Sequence, residues 1–432
     1  MQEDPEAMTD SICIFEDQLY RRLLPLVYLR PVYDLRSGIL TLRGKIERSF
    51  PGARLHLHTR SVLGKLVEQQ NPGTPVNRVE GARCLFINGR VLAAGNLKSL
   101  VPPDGPDGLF TMGETLVAAR VSGRALESVR KALPDTITPA TFGALPVTGV
   151  NVQMISYPWD LIHHNGEEIT SDFAVLAPEP ARRMQGTVYE GVHLINPGNI
   201  VIGEGSKVKP GVVLDADNGP IYIGKNVTVF PNAVIEGPAF IGDRTLIKIG
   251  AKIYEQTSIG EVCKVGGEVE GSIIHAYSNK QHDGFLGHAY LGMWVNLGAD
   301  TNNSDLKNNY SNVKVVIDGE TVDTGSMFMG LVMGDHSKSS INSMFNTGTV
   351  VGVSSNVFGS GFPPKSIPSF AWGGAEGLST YDLERALEVA RRVMGRRKIA
   401  LSEVEESALR GVFAQTVKER DGVGTLKGVT PS

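Results

Sequence analysis

The middle of the chain carries a hydrophobic pattern of period six. Aliphatic residues stand at Ile223, Val229, Ile235, Ile241, Ile247, Ile253, Ile259 and Val265, eight positions spaced by six. Four residues after each lies a small or aliphatic side chain, including Val227, Ala233, Ala239, Thr245, Ala251, Thr257, Cys263 and Val269. The register runs back through Ile202, Val208 and Leu214 and shifts by three residues at Asp217-Asn218-Gly219. It resumes at Phe285, Leu291 and Leu297, and a looser stretch follows at Met333, Ser339, Phe345, Val351 and Val357. A period of six does not match the 3.6-residue repeat of a helix, but it suits short strands separated by turns. Each hexad then supplies one side of a coil, and three sides close one turn of a parallel β-helix. The aliphatic residue points inward, the small one fits the corner, and Gly, Asn and Asp supply the positive φ that corners require. Residues 271–284 and 302–325 break the hexad and are expected to leave the coil as loops, where chemistry usually sits.

Residues 11–185 follow a different pattern. Ser11–Phe15 and Arg83–Ile87 read as short buried strands. Arg36–Phe50 has helical spacing through Ile39, Leu42 and Ile46, and Leu116–Leu133 reads as a second helix ended by Pro134 and Asp135. Residues 150–165 read as a closing strand and exit helix. Strand–helix alternation of this kind predicts an α/β domain. Downstream, Ser379-x-x-Asp382 and Ser402-x-x-Glu405 read as capping boxes of two terminal helices. The expected organisation is an unstructured segment 1–10, an α/β domain 11–185, an all-β parallel β-helix 186–372 and a short helical tail 373–432.

Composition sharpens this picture at three points. Glycine makes up 50 of 432 residues, above the average of about 7%, and the hexads turn that surplus into coil corners. The 42 basic and 46 acidic residues leave a net charge of -4, which gives no footprint for nucleic acid or an anionic membrane surface. No run approaches the roughly 18 apolar residues of a membrane span, and the start MQEDPEAMTD lacks the basic and apolar parts of a signal peptide. Three separated cysteines, Cys13, Cys84 and Cys263, exclude a disulfide framework and fit a reducing, cytoplasmic compartment.

Candidate chemistry gathers where the hexad is interrupted. Of His275, His282, His288 and His336, the pair His282 and His288 is six residues apart, so a regular coil puts them on successive faces and disfavours a shared metal. The amide-rich loop TNNSDLKNNYSN offers groups able to orient an amine or an oxyanion. Gly219-Pro-Ile-Tyr-Ile-Gly224-Lys225-Asn226 has the outline of a phosphate loop. It lacks the Ser/Thr, and Ile223 belongs to the hexads, so it reads as a coil corner.

The run from His282 to Gly292 (HDGFLGHAYLG), followed by Val295-Asn296-Leu297-Gly298-Ala299, resembles the acetyltransferase half of the bifunctional GlmU family. The corresponding family run is His-x-x-Tyr-Leu-Gly-x-Ala-x-Ile-Gly, then Val-Asn-Ile-Gly-Ala-Gly. The resemblance implies a left-handed coil, a homotrimer, and acetylation of glucosamine 1-phosphate followed by coupling to UTP. It makes His282 the base that deprotonates the sugar amine, a task suited to a group titrating near neutrality. It also makes Asn296 and Lys248 sugar-phosphate contacts, and Ala299 and Lys314 acetyl-CoA contacts. The family's catalytic Asn falls at Asp305, with Asn302 and Asn303 as its substitutes. The family tyrosine is Phe285 here, and a phosphate-binding lysine is Glu270.

The front domain is similar to sugar nucleotidyltransferases through Arg22-Leu23-Leu24-Pro25-Leu26, the tail of their Gly-x-Gly-Thr-Arg-Leu-x-Pro-Leu loop. The glycines are replaced by FEDQLYRR, and the expected metal-binding Asp is Asn88 in FINGR. On this resemblance Arg21, Arg22, Arg30, Arg36, Lys45 and Asn88 bind the nucleotide, and Asp17, Glu16 or Asp34 holds Mg²⁺. Two alternatives stay open: nucleotidyl transfer alone with the β-helix as a trimerisation scaffold, or a degenerate protein that binds a sugar nucleotide.

Overall fold

The computed structural model describes residues 11–93 and 95–421. Residues 1–10, for which little structure is expected, lie outside the described residues. The chain divides into two compact units. The first comprises Leu29–Leu35 and Leu40–Ser156 with the segment up to Leu23, and the second comprises Leu24–Tyr28, Arg36–Ile39 and everything from Tyr157.

The first unit is built on a six-stranded mixed sheet. Its order is Arg54–Leu57, Ser11–Phe15, Arg83–Asn88, Thr115–Ser122, Gly108–Met112 and Val147–Gly149. The first three strands are parallel, and Thr115–Ser122 runs antiparallel to both of its neighbours. Helices Leu42–Ser49, Ser61–Gln70 and Gly123–Lys131 and the single turn Leu97–Leu100 accompany the sheet. Phe15, Phe86, Ala119, Val121 and Leu126 form the centre of one core cluster.

Two sequence expectations change here. The helix predicted over Leu116–Leu133 is a strand followed by a helix, because its first half is a buried apolar run hydrogen-bonded on both sides. The helix predicted over Arg36–Phe50 begins only at Leu42, where the Thr41 hydroxyl accepts from the Gly44 N–H at 3.2 Å.

In the second unit, helices Pro158–His163 and Asn165–Leu176 precede a parallel β-helix. Its first face begins at Thr187–Val188, its second at His193–Ile195 and its third at Ile200–Ile202. Strands stack parallel and in register, Val208 on Val229 on Ile247 on Val265, with Ile235 on Ile253 and Ile241 on Ile259 alongside. These aliphatic residues, with Ala233, Ala251 and Cys263 at the corners, form one continuous buried core. A side chain at Gly242 would strike the backbone of Gly260 in the next coil, so the glycine that follows each inward isoleucine there is a matter of space.

Corners tolerate more than Gly, Asn and Asp. The edge from the third face to the first is turned by Asn226, Arg244, Val262, Tyr277, Trp294, His336, Ser354 and Phe370, all at positive φ. Each coil braces the next there, as where the Val262 N–H donates to the Asp243 carbonyl at 2.9 Å. Asn226 belongs to this column, so the sequence resembling a phosphate loop is a coil corner.

Residues 271–284 do not leave the coil. Ile273–Ala276 and Asn279–Lys280 stay in the third and first faces, after shortened sides from Val265 to Val269 and from Val269 to Ile274. The slip makes Leu286, not Phe285, the inward residue, stacked on Val269 and buried. Of residues 302–325, Asn302–Asn303 stay in the coil as a strand paired with Met344–Phe345, and the residues after them depart. Leu291 pairs with Met333 across 42 residues, and the insertion carries an antiparallel hairpin, Lys314–Ile317 with Glu320–Asp323. The tail forms helices Leu383–Gly395 and Glu403–Gln415. Asp382 caps the first, while Ser379 lies in the strand Gly377–Thr380 instead of a capping box. The box at Ser402 and Glu405 is present. Among the described residues no helix is long and apolar enough to cross a membrane. All three cysteines are free and buried, and burial pushes the Cys84 and Cys263 thiols up to about 12.

Candidate functional site

In the first unit the residues expected to meet a nucleotide and its metal meet one another. Strand Ser11–Phe15 delivers Glu16 and Asp17 at its end, and both are buried. Asp17 accepts from Arg90 Nη2 at 2.6 Å and Nε at 2.9 Å, from Asn88 Nδ2 at 2.8 Å and from the Leu19 N–H at 3.1 Å. Glu16 accepts from Thr59 Oγ1 at 2.7 Å, Arg60 Nε at 3.1 Å and the Val32 N–H at 3.0 Å. Asp34 lies 3.0 Å from Arg43 Nε, and burial raises its carboxyl to about 6. A carboxylate that ligates a divalent cation needs free lone pairs and no cation already upon it. These three do not fit Mg²⁺, which corrects the expectation for Asp17. Among the described residues no group of three His, Cys, Asp or Glu side chains is arranged to hold a metal.

The remaining predicted residues of this region scatter. Arg21 and Arg22 are exposed on the 3₁₀ helix Gln18–Leu23, which takes the place of a Gly-rich loop. Arg30 and Lys45 are buried. Arg36 belongs to the second unit, where it reaches Glu261 at 3.3 Å, lies over the Phe240 ring and donates from its backbone N–H to the Tyr290 hydroxyl at 3.0 Å. It is a strut of that unit rather than a member of a nucleotide-binding set.

In the second unit the predicted residues fall into two places. The first is a cavity of about 320 Å³ on the first face, bounded by Lys264, Trp294, Asn296, Lys338, Arg396 and Arg397. Tyr277 stacks on Trp294 with ring centres 4.5 Å apart, and His336 continues the stack. Arg397 Nη2 donates to Asn279 Oδ1 at 2.8 Å, and Asn279 Nδ2 lies 3.3 Å from Asn296 Oδ1. Burial, then Arg397, Arg396 and Lys248, hold the Lys264 ammonium below its usual range. Lys338 donates to the His336 carbonyl at 2.6 Å, and burial brings it down to about 8. Lys248, half-buried above Phe230, thus adjoins the cavity electrostatically, and Asn296 is in its wall.

His282 is exposed at the corner from the first face to the second, one residue after the cavity residue Gln281. Its carbonyl accepts from Lys280 Nζ at 2.9 Å. Ala299 is at the same corner, its carbonyl accepting from the Asn342 N–H at 2.8 Å.

The second gathering lies at the corner from the second face to the third. The Phe285 N–H donates to Asn302 Oδ1 at 2.7 Å, Asn303 brackets Gly287 through both its N–H and its carbonyl, and His288 Nδ1 lies 2.8 Å from Asp305 Oδ2. Phe328 packs 5.0 Å from the His288 ring. Burial raises the Glu270 carboxyl, which His288 partly offsets. Phe285, Asn302, Asn303 and Asp305 are therefore brought together, but their histidine is His288 and not His282. Lys314 stands apart, exposed at the foot of the hairpin. Sequence reasoning missed Lys264, Lys338, Arg396 and Arg397; the two arginines have as their only signal a basic cluster ending a helix, and the two lysines stand in coil strands without one.

Residues 12–179 match a family model described as sugar nucleotidyl transferase. The bifunctional protein GlmU of Synechococcus elongatus is 28% identical over 210 residues, covering 44% of this chain and 43% of the relative. That of Bartonella quintana is 23% identical over 257 residues, covering 56% and 51%. That of Rippkaea orientalis is 36% identical over 106 residues, covering 24% and 22%. The chain thus spans about half or less of the length of these relatives. A solved UDP-N-acetylglucosamine acyltransferase of Francisella novicida aligns with 55% of this chain and 86% of its own, at 16% identity and a TM-score of 0.27.

Proposed function

For a chain that is a divergent GlmU-like protein, we propose a bifunctional transferase. On this reading its second unit moves an acetyl group from acetyl-CoA to the amine of an amino-sugar 1-phosphate, glucosamine 1-phosphate being the leading candidate. Its first unit handles the nucleotide end of the product, with UTP favoured. The observation that carries the acyl-transfer half is the cation-walled cavity on the first face, with Asn296 in its wall and His282 beside its Gln281 edge.

In the reaction, the sugar ammonium gives up one proton to solvent, and His282 takes a second from the amine nitrogen as that nitrogen bonds to the thioester carbonyl carbon. The C–S bond breaks, and the departing thiolate takes up the proton that His282 holds. Asn296 orients the sugar, and the cavity's positive charge holds its phosphate. Backbone groups at the Ala299 corner meet the coenzyme, and a trimer completes each site from a neighbouring copy.

One observation favours a second reading for the first unit. Its three candidate carboxylates are each held by an arginine, which supports a domain that binds a sugar nucleotide without metal-dependent turnover.

A ³¹P NMR screen of sugar 1-phosphates with each nucleoside triphosphate, run with and without acetyl-CoA, separates these readings. Acetyl transfer that falls at least about 100-fold in His282→Ala supports the proposed base, since general-base catalysis contributes roughly 10²–10⁴-fold. Undiminished transfer in that variant, with loss in His288→Ala instead, moves the base to the histidine that Asp305 orients.

A further inference from the structure

We propose that Arg396 and Arg397, on the turn that follows helix Leu383–Gly395, close an anion clamp over the first face and grip the phosphate group of the bound ligand. The inference deepens the acyl-transfer reading by assigning its phosphate contacts, but the clamp itself requires only a phosphorylated ligand.

Three observations converge on it. The two arginines border the 320 Å³ cavity together with Lys264 and Lys338. The tail is fastened there by the 2.8 Å bond from Arg397 to Asn279, whose amide continues to Asn296 in the same wall. The charges are also uncompensated, since among the described residues neither Lys248, Lys264, Arg396 nor Arg397 forms an ion pair with a carboxylate. Like charges so close repel, and the Lys264 ammonium is lowered first by its burial and then by Arg397, Arg396 and Lys248. A protein that assembles cations around a concave space without acids to neutralise them has left that role to a ligand.

The chemistry selects phosphate. Arginine presents a planar fork of donors that matches phosphate oxygens two at a time, and the lysines add point charges beside it. The concave, closed-sided space suits a compact ester rather than an extended polymer. Glu270, where the resemblance expects a phosphate-binding lysine, lies on the second face, away from this cavity. The positive charge missing at 270 is supplied by residues more than a hundred positions later, in a tail that no hexad predicts.

The test uses the full chain and three probes: glucosamine 1-phosphate, ADP and inorganic phosphate, each titrated by calorimetry at two salt concentrations. The expected result is saturable binding of glucosamine 1-phosphate that weakens about tenfold or more in Arg396→Ala/Arg397→Ala, the scale of losing charge-assisted hydrogen bonds. Arg396→Lys/Arg397→Lys should recover part of it. Arg391→Ala/Arg392→Ala, on the same helix, should bind as the parent does, and unfolding midpoints verify that the tail remains docked. ADP outcompeting the sugar phosphate keeps the clamp and assigns it to a nucleoside diphosphate. Parental affinity in the Arg396→Ala/Arg397→Ala variant overturns the clamp, and so does absence of binding by all three probes. Intact phosphate binding without any acetyl transfer overturns the acyl-transfer reading and leaves the clamp standing.

Discussion

Replacing Lys280 with Met should stabilise the protein at neutral pH. Lys280 occupies an inward position of the coil, stacked on Val265 where every earlier coil has an aliphatic residue, and is 2% exposed. Burial lowers its ammonium from the ordinary range to about 8. In the unfolded chain a lysine titrates near 10.4, so below pH 8 the folded protein carries a cost of about 3 kcal/mol for keeping the proton inside. Between pH 8 and 10.4 the unfolded state binds more protons, and the parent's stability rises with pH. The gain from Lys280→Met should therefore be largest at pH 7, a rise in Tm of several degrees at roughly 2–4 °C per kcal/mol, and should fade by pH 10.5. The substitution also removes the hydrogen bond from Nζ to the His282 carbonyl, so amide exchange at residues 281–284 should quicken. Equal melting shifts at pH 7 and pH 10.5 would show that the buried charge is not the cause.

At the scale of elements, legibility followed how far a pattern departs from its alternatives. The hexads were legible because nothing but a three-sided coil stacks Ile241 on Ile259 and Ile235 on Ile253. Leu116–Ser122 was not, because LVAARVS is apolar without a clear period, and a strand paired on both sides cannot be told by periodicity from a buried helix. The slip between Val265 and Ile274 escaped for a related reason. Coil sides can shorten without breaking the stack, which moves the inward position from Phe285 to Leu286. That slip sets the geometry of the corner at His288. Asn303, buried in strand Asn302–Asn303, holds this corner through the N–H and the carbonyl of Gly287. Asn303→Ala leaves both groups without that partner, and urea unfolding should register a loss of about 1–3 kcal/mol. A change of only a few tenths would mean that the corner is held elsewhere.

At the scale of the molecule, half of the candidate site was written in motifs and half in topology. Asn296 and His282 lie in a contiguous run that can be compared with a family, whereas Arg396 and Arg397 join the cavity only because the tail returns to the first face. In the sequence they read as ordinary basic residues ending a helix, favourable there in any case. Association between copies belongs to this scale as well. Ile249 and Ile341 are exposed at 69% and 66%, both beside the corner from the first face to the second, where Ala299 hydrogen-bonds Asn342. Single exposed isoleucines are common on protein surfaces, but two on the corner that the resemblance assigns to coenzyme contact are what a neighbouring copy would cover. Light scattering should then give three times the 46.4 kDa of one chain. Ile249→Asp/Ile341→Asp should lower that mass and acetyl transfer together, because a corner shared between copies cannot lose its neighbour and keep its site. A parent that is already monomeric and active would remove the second copy from the mechanism and place every contact of the reaction on a single coil.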